Sequence, residues 1–352
     1  MPRVRERPAE ARRETEVPAR RLRRTLLVLG LGVLAVLVAA GAAAAANGGF
    51  TPQHAHSPNA HRINQAYWLI VGFTVAIFVV VEAALVVFIV KYRSRGRSRT
   101  IEGSQLHGHT RIELIWTAIP VVIIVIIFSF VFYKLPGIQD IPKARAEGGP
   151  LQIRIDAHQF YWQFTYPNGA VSINDLHVPV DRVVQVNIHS EDVDHSWWIP
   201  ALQGKFDAIP GNPTKTWFRA DQVGTYRGQC GEFCGVYHAT MRASVVAQSQ
   251  SEYESYLASL ANPLELGGQE WTGACAECHA LDGSGGYGPA IKNNSTLIQP
   301  EGLRTLITQG LNQRAPVANY MPPVARGWTD AQVNALLAYL KAHVYKESAS
   351  GG

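Results

Sequence analysis

The apolar positions of this 352-residue chain fall into three regimes. Unbroken apolar runs come first, at residues 25–46, 67–90 and 112–133. The second and third are each long enough to cross a bilayer as a helix, because a hydrocarbon core of ~30 Å needs about 20 residues. The first follows an Arg-rich leader and ends in an alanine run, the layout of a secretory signal cleaved near Ala44–Ala46. A retained membrane helix is the other reading of that run. After a connector bearing Pro and Gly at 136–150, the period drops to two. Leu151-Gln152-Ile153-Arg154-Ile155 and Val184-Gln185-Val186-Asn187-Ile188 alternate, with Pro167-Asn168-Gly169 as a turn between segments. Short strands at this spacing predict a β-sandwich. Beyond Ser251 the period becomes helical, with Tyr253, Tyr256, Leu257 and Leu260 followed by the break Asn262-Pro263. A last helix is marked by a capping box, Thr329 with Gln332, and by Val333, Leu336, Leu337, Leu340 and Val344 on one face. The expected organisation is a signal at 1–46, a two-helix membrane hairpin at 47–135 and a β-rich module at 150–248. A linker at 249–265 and a helical module at 266–346 complete it.

Charge orients the hairpin. Residues 1–24 hold nine Arg against four acids, and residues 91–111 hold six Lys/Arg against one Glu, so the remainder is net acidic. A basic loop between two spans stays cytoplasmic, which puts both flanks and everything after residue 134 on the outer, oxidising side. The basic charge lies beside apolar segments and not on a folded face, which excludes a nucleic-acid surface. With 47% hydrophobic and 17% charged residues the chain is not disordered. Glu82 lies deep in one span and Glu113 opens the next. Ionisable groups in such positions are expensive and point to function or to a partner helix. Two helices make a poor bundle alone, so a larger membrane partner is expected.

The four cysteines form two tight pairs, too few for a disulfide scaffold in a chain of this length. The run from Cys230 to Met241, Cys-Gly-Glu-Phe-Cys-Gly-Val-Tyr-His-Ala-Thr-Met, carries two thiols, an imidazole and a thioether. Thiolates, a His and a weak Met ligand suit copper in electron transfer, and two thiolates so close can bridge two copper ions. A second imidazole is then needed, and His195 in Asp192-Val193-Asp194-His195-Ser196-Trp197 supplies one. On spacing alone, a Cys230–Cys234 disulfide and a structural zinc site stand beside copper. Cys275-Ala276-Glu277-Cys278-His279 is the c-type haem attachment motif. A thioether sixth ligand raises an iron potential for electron transfer. With Met1 in the leader and Met241 beside copper, Met321 remains.

The Cys230–Met241 run, with the Asp-x-x-His-Ser-Trp segment upstream, resembles the binuclear copper A loop of cytochrome c oxidase subunit II. The resemblance covers about residues 60–248, hairpin included. It implies a cupredoxin-like sandwich in which Cys230 and Cys234 bridge both coppers and His195 and His238 take one each. Met241 and the Glu232 carbonyl are then weak ligands, and the Glu232 side chain reaches a magnesium shared with subunit I. Glu113, in Glu113-Leu114-Ile115-Trp116-Thr117, matches the mouth of a proton path into subunit I; Glu82 matches nothing. Trp162, in His158-Gln159-Phe160-Tyr161-Trp162, matches the aromatic segment beside the copper site. Many relatives carry Trp where this chain has Phe160, at the position where a soluble cytochrome c hands over its electron. Tyr161 reads as sandwich core.

The C-terminal module resembles small bacterial class I cytochromes c, all-α, with Met321 placed 42 residues after His279 and Pro289 as the carbonyl that orients the proximal imidazole. A haem c behind a copper A domain resembles subunit II of caa-type oxidases. The implied protein is a multi-pass subunit of a proton-translocating oxidase in a bacterial plasma membrane, both redox domains outside. It passes electrons from a donor, a cytochrome c or a quinol-oxidising complex, through haem and copper to subunit I, with subunit III as a further neighbour. A copper A module that feeds a nitric oxide reductase is the alternative, and a copper-binding assembly module ranks after it.

Overall fold

The computed structural model describes residues 30, 51–93, 105, 107–142, 149–311 and 320–346. Apart from Gly30, the expected signal at 1–46 lies outside the described residues, as does the core of the basic loop, 94–100. The chain divides into an N-terminal unit, Met1–Gln53, and a body, His54–Gly352, which carries the hairpin, the sandwich and the C-terminal helices.

Helix α1 (Pro58–Tyr92) runs 35 residues, ~50 Å at 1.5 Å per residue, well beyond the ~30 Å of a bilayer core. Its polar first turns precede the apolar run because they are held by the sandwich. Ser57 caps the helix and its hydroxyl also donates to Leu202 O, while Asn59 Nδ2 donates to Trp217 O at 2.6 Å. Helix α2 (Thr110–Lys134) begins with a reciprocal cap. His109 accepts from Ile112 N, and Glu113 accepts from His109 N at 2.9 Å. The short α3 (Pro136–Gln139) follows, and its Gly137 O accepts from Arg62 Nη1 at 2.8 Å. Among the described residues nothing covers the spans: Val80 and Ile89 are each 68% exposed and Phe132 66%. Such faces need lipid or another subunit against them.

Ten strands follow: β1 (Leu151–His158), β2 (Tyr161–Thr165), β3 (Val171–Ile173), β4 (Asp175–Pro179), β5 (Val184–Ser190), β6 (His195–Trp198), β7 (Phe206–Ala208), β8 (Thr214–Phe218), β9 (Gly224–Cys230) and β10 (Arg242–Gln248). They make two five-stranded sheets in the orders β3-β2-β1-β5-β8 and β4-β10-β9-β6-β7. Pairs β1–β5 and β4–β10 are parallel, and every other pair is antiparallel. Phe164, Trp162 and Trp197 fill the space between the sheets. β1 alternates buried and exposed only over its first half; its second half and nearly all of β2 are buried on both faces. The reason is that the C-terminal module covers that end of the sheet.

Helix α4 (Gln250–Ser259), capped reciprocally by Ser249 and Glu252, adds Tyr253 to the sandwich core, as does Leu260 just beyond it. Helix α5 (Pro263–Glu270) runs into a π-helical turn, Trp271–Cys275, and then α6 (Ala276–His279). Helices α7 (Pro300–Gln309) and α8 (Asp330–Tyr339) complete the module, the latter opened by the Thr329–Gln332 capping box. The predicted apolar face, Val333, Leu336, Leu337, Leu340 and Val344, is buried. Tyr161, Val171 and Ile173 of the sandwich belong to this second core. Polar contacts join the modules as well: Gln332 Nε2 donates to Gln163 Oε1 at 2.9 Å and Arg326 Nη1 to Glu191 O at 2.9 Å.

Candidate metal centre and haem crevice

The metal centre is set by strand register. β6 pairs with β9 so that Trp197 faces Cys230, which places His195 at the start of one strand beside the thiol at the end of the other. Cys230 Sγ lies 3.8 Å from His195 Nδ1, and Cys234 Sγ 3.6 Å from His238 Nδ1. Two ligands of one ion, at roughly 2.3 Å for sulfur and 2.0 Å for nitrogen, stand about 3.5 Å apart at a tetrahedral angle. The spans therefore fit an ion between each sulfur and its imidazole. The two sulfurs are 4.0 Å apart, far beyond the ~2.05 Å of a disulfide. Met241 Sδ is 3.7 Å from Cys234 Sγ, and Glu232 O accepts from the Cys230 thiol at 3.2 Å. Two thiols, two imidazoles, a thioether and a carbonyl thus converge, a set that suits copper better than zinc. Among the described residues, His195, Cys230 and Cys234 are the group of potential ligands within 4.8 Å of one another.

Electrostatics already favour a cation there. Cys230 and Cys234 are hydrogen-bonded to each other, which with help from His195 lowers the pKa of the Cys230 thiol and raises that of Cys234. A cation that binds the pair takes both sulfurs as thiolates, and the lowered Cys230 favours that. Burial lowers the His195 pKa, but hydrogen bonds to Asp192 and Cys230 outweigh it and raise it to about 8. Asp192 Oδ1 lies 2.8 Å from His195 Nε2 and so fixes which nitrogen faces the sulfurs. His195, Cys230, Cys234 and Met241 are buried, while His238 is half-buried and Glu232 exposed. Glu232 pairs with Lys205 Nζ at 3.1 Å. Trp162 packs edge-on against His195, ring centroids 6.0 Å apart. Gly235, at φ 135°, permits the loop to lie on Phe160, whose Cε1 would sit 3.0 Å from a Cβ there.

The second constellation lines a cavity of about 750 Å³. Cys275, Cys278, His279, Met321 and Pro289 all reach its wall. His279 Nδ1 is 2.9 Å from Pro289 O, which orients the ring and leaves Nε2 for an iron. Gly288 belongs here because any Cβ would come 2.8 Å from His279 Cε1. Met321 is held by a two-bond bridge to Leu311, at 2.9 and 3.1 Å. Burial pushes the Cys275 thiol up to about 12 and raises Cys278 as well. The cavity's size and apolar lining fit a porphyrin, and the two thiols and the imidazole stand as covalent attachment requires.

The remaining expected sites are placed differently. Glu113 is the exposed N-terminal cap partner of α2, and Glu82 faces outward on α1. Tyr161 is not in the sandwich core. Its hydroxyl donates to Val324 O at 2.5 Å and accepts from Trp328 Nε1 at 2.8 Å, both in the C-terminal module. Asp192, Gln163 and Tyr237 also carried no assignment. Of these, only Asp192 left a trace in sequence, three residues before His195.

The hairpin, 45–133, matches the family model described as cytochrome c oxidase subunit II, transmembrane domain. Residues 171–249 match the periplasmic domain of the same subunit. The cytochrome c oxidase subunit 2 of Alkalihalophilus pseudofirmus is 33% identical over 252 residues, covering 65% of this chain and 72% of that one. The chain belongs to the cytochrome c oxidase subunit II family. The same subunit of Thermostichus vulcanus is 29% identical, covering 59% of this chain and 77% of that one. A solved periplasmic domain of subunit II from Bradyrhizobium japonicum is 31% identical, covering 34% of this chain and 96% of that one, at a TM-score of 0.32. Residues 262–340 match cytochrome c oxidase, cbb3-type, subunit III, so a cytochrome c domain follows the subunit II portion. This subunit II is therefore an electron-transfer subunit of a haem-copper oxidase, membrane-anchored through two apolar helices.

Proposed function

We propose that this chain is the electron-accepting subunit of a proton-translocating cytochrome c oxidase, holding a covalent haem c and a binuclear copper A centre on the outer face of a bacterial plasma membrane. It would serve subunit I, where oxygen is reduced to water, with subunit III as a further neighbour. When bound, the two groups supply one-electron oxidation and reduction with little rearrangement.

Cys230 and Cys234 would bridge the metals, His195 and His238 would take one each, and Met241 and Glu232 O would be the weak ligands. Asp192 holds His195 in its tautomer, and the packed Trp162 keeps water from its ring. Cys275 and Cys278 would carry the porphyrin, His279 and Met321 the iron, and Pro289 O fixes the proximal ring. The Glu232 carboxylate would reach a magnesium shared with subunit I, exchanging its Lys205 partner for it. Glu113 would mark the entrance of the proton path; its carboxylate is exposed at the helix end that a partner subunit can cover. The uncovered apolar spans support such a partner. The net acidic outer region suits a basic donor, a cytochrome c or a quinol-oxidising complex.

One observation carries this reading: each of two sulfurs in one loop has its own imidazole at 3.6–3.8 Å, the span of a shared ion. The purified complex should show copper and haem c absorption and consume oxygen with a reduced donor. Nitric oxide consumption without oxygen uptake would transfer it to the reductase reading, and iron without copper would remove the copper centre.

A further inference from the structure

The wall of the haem crevice is not made by the C-terminal module alone. Phe160, Val236 and Tyr237 line the same cavity as Cys275, Cys278, His279 and Met321. Two of these come from the loop between Cys234 and His238, so the segment that spaces the metal ligands also closes the porphyrin site. The Tyr237 ring packs edge-on against Phe160 at 5.6 Å and against Tyr287 of the C-terminal module at 5.4 Å. Tyr237 and Cys278 face the same cavity. The Tyr237 backbone continues directly into His238, whose Nδ1 faces Cys234 Sγ.

We propose that Tyr237 is the positioning residue that couples the two redox sites, its ring forming one wall of the haem crevice at Cys278 while its backbone carries the His238 ligand. The proposal rests on the haem and copper reading above. The ring replaces a gap between modules with packed atoms and holds the crevice and the metal loop at one separation. In the step it serves, ferrous iron gives up one electron and becomes ferric, and the copper pair gains that electron. No bond forms or breaks and no proton moves. Phe160, where many relatives carry Trp, is half-buried here and is itself part of this crevice wall, packed against Tyr237. The hydroxyl is secondary in this scheme, since the wall is made by the ring.

The test uses the purified oxidase complex with Tyr237→Leu and Tyr237→Phe. Metal content and spectra of the unaltered protein come first; absence of copper or haem there ends the underlying reading, whatever Tyr237 does. Copper reduction is then timed after photoreduction of the haem. Tyr237→Leu should slow it several-fold, because electron transfer between the sites falls steeply with their separation and with loss of packed atoms between them. Tyr237→Phe should restore a rate close to that of the parent. A second measurement needs no copper. Binding of free imidazole to the ferric haem should tighten in Tyr237→Leu, because the crevice has lost a wall, and should match the parent in Tyr237→Phe. An unchanged transfer rate in a copper-loaded Tyr237→Leu complex overturns the proposal, and so does an unchanged imidazole affinity should that variant lose copper.

Discussion

The two cysteine pairs of this chain sit in opposite electrostatic surroundings. In the metal loop, a hydrogen bond with Cys234 and the nearby His195 ring lower the pKa of the Cys230 thiol, which eases loss of its proton to an arriving ion. In the crevice, burial, with Glu270 and Cys278 acting in the same direction, pushes Cys275 up to about 12, so it remains a thiol. The first arrangement suits coordination, which needs deprotonated sulfur. The second suits a covalent link formed once and kept. Geometry differs in the same sense. The candidate metal ligands are brought together by a strand register, whereas the candidate haem ligands stand on separate helices and loops around about 750 Å³ of space. A preorganised site tolerates loss of its cofactor better than a crevice whose core is the cofactor.

The sharpest way to break that comparison is the double change Cys275→Ser/Cys278→Ser. It should abolish covalent haem altogether, read on a haem-stained gel and in the visible spectrum, while the near-infrared copper band survives. Loss of both bands together would mean that the two sites are not independently built.

Next in size is Glu270, fully buried on α5 with neither carboxylate oxygen hydrogen-bonded among the described residues. Burial raises its pKa to about 9, against the ordinary 4.5. Between those values the folded chain binds a proton that the unfolded chain has lost, so stability must fall as pH rises through that window. Urea midpoints of the haem-loaded chain should therefore drop from about pH 5 to about pH 8, and Glu270→Gln should flatten the slope. A midpoint that climbs over this range contradicts the assignment.

Asp192→Asn tests the metal side. Losing the carboxylate that orients His195 should weaken copper binding about 10- to 100-fold in titrations of the apo-protein, with the haem spectrum unaltered. The smallest expected effect is Tyr161→Phe at the seam between modules. It leaves Val324 O and Trp328 Nε1 without their partner, a cost of about 1–3 kcal/mol, seen as a lower unfolding midpoint and faster proteolysis of the stretch around α4. Equal protease resistance would show that the seam is held by apolar contact alone.

Much of the fold was readable because each regime of the sequence has its own period. Continuous apolar runs mark α1 and α2, alternation marks β1 and β5, and the capped apolar face marks α8. The first turns of α1 were not readable, since Asn59 and Arg62 are polar for contacts made far away in the chain, with Trp217 and Gly137. The second half of β1 lost its alternation for a related reason: a neighbouring module buries the face that a lone sandwich leaves wet. The candidate ligands were legible from residue type and spacing. Tyr161 was read as sandwich core, and nothing in its local sequence distinguishes that from a side chain turned outward into a second core.

By itself, then, the sequence determined which atoms could hold cofactors and where two apolar helices long enough to cross a membrane lie, because these depend on residue chemistry, short spacings and unbroken apolar runs. Tertiary structure alone decided that His195 stands beside Cys230, that one thiol is lowered in pKa while another is raised, and that Tyr237 walls a crevice built some forty residues further on. Those outcomes depend on strand register and on which surfaces exclude water, and both arise only when distant segments pack together.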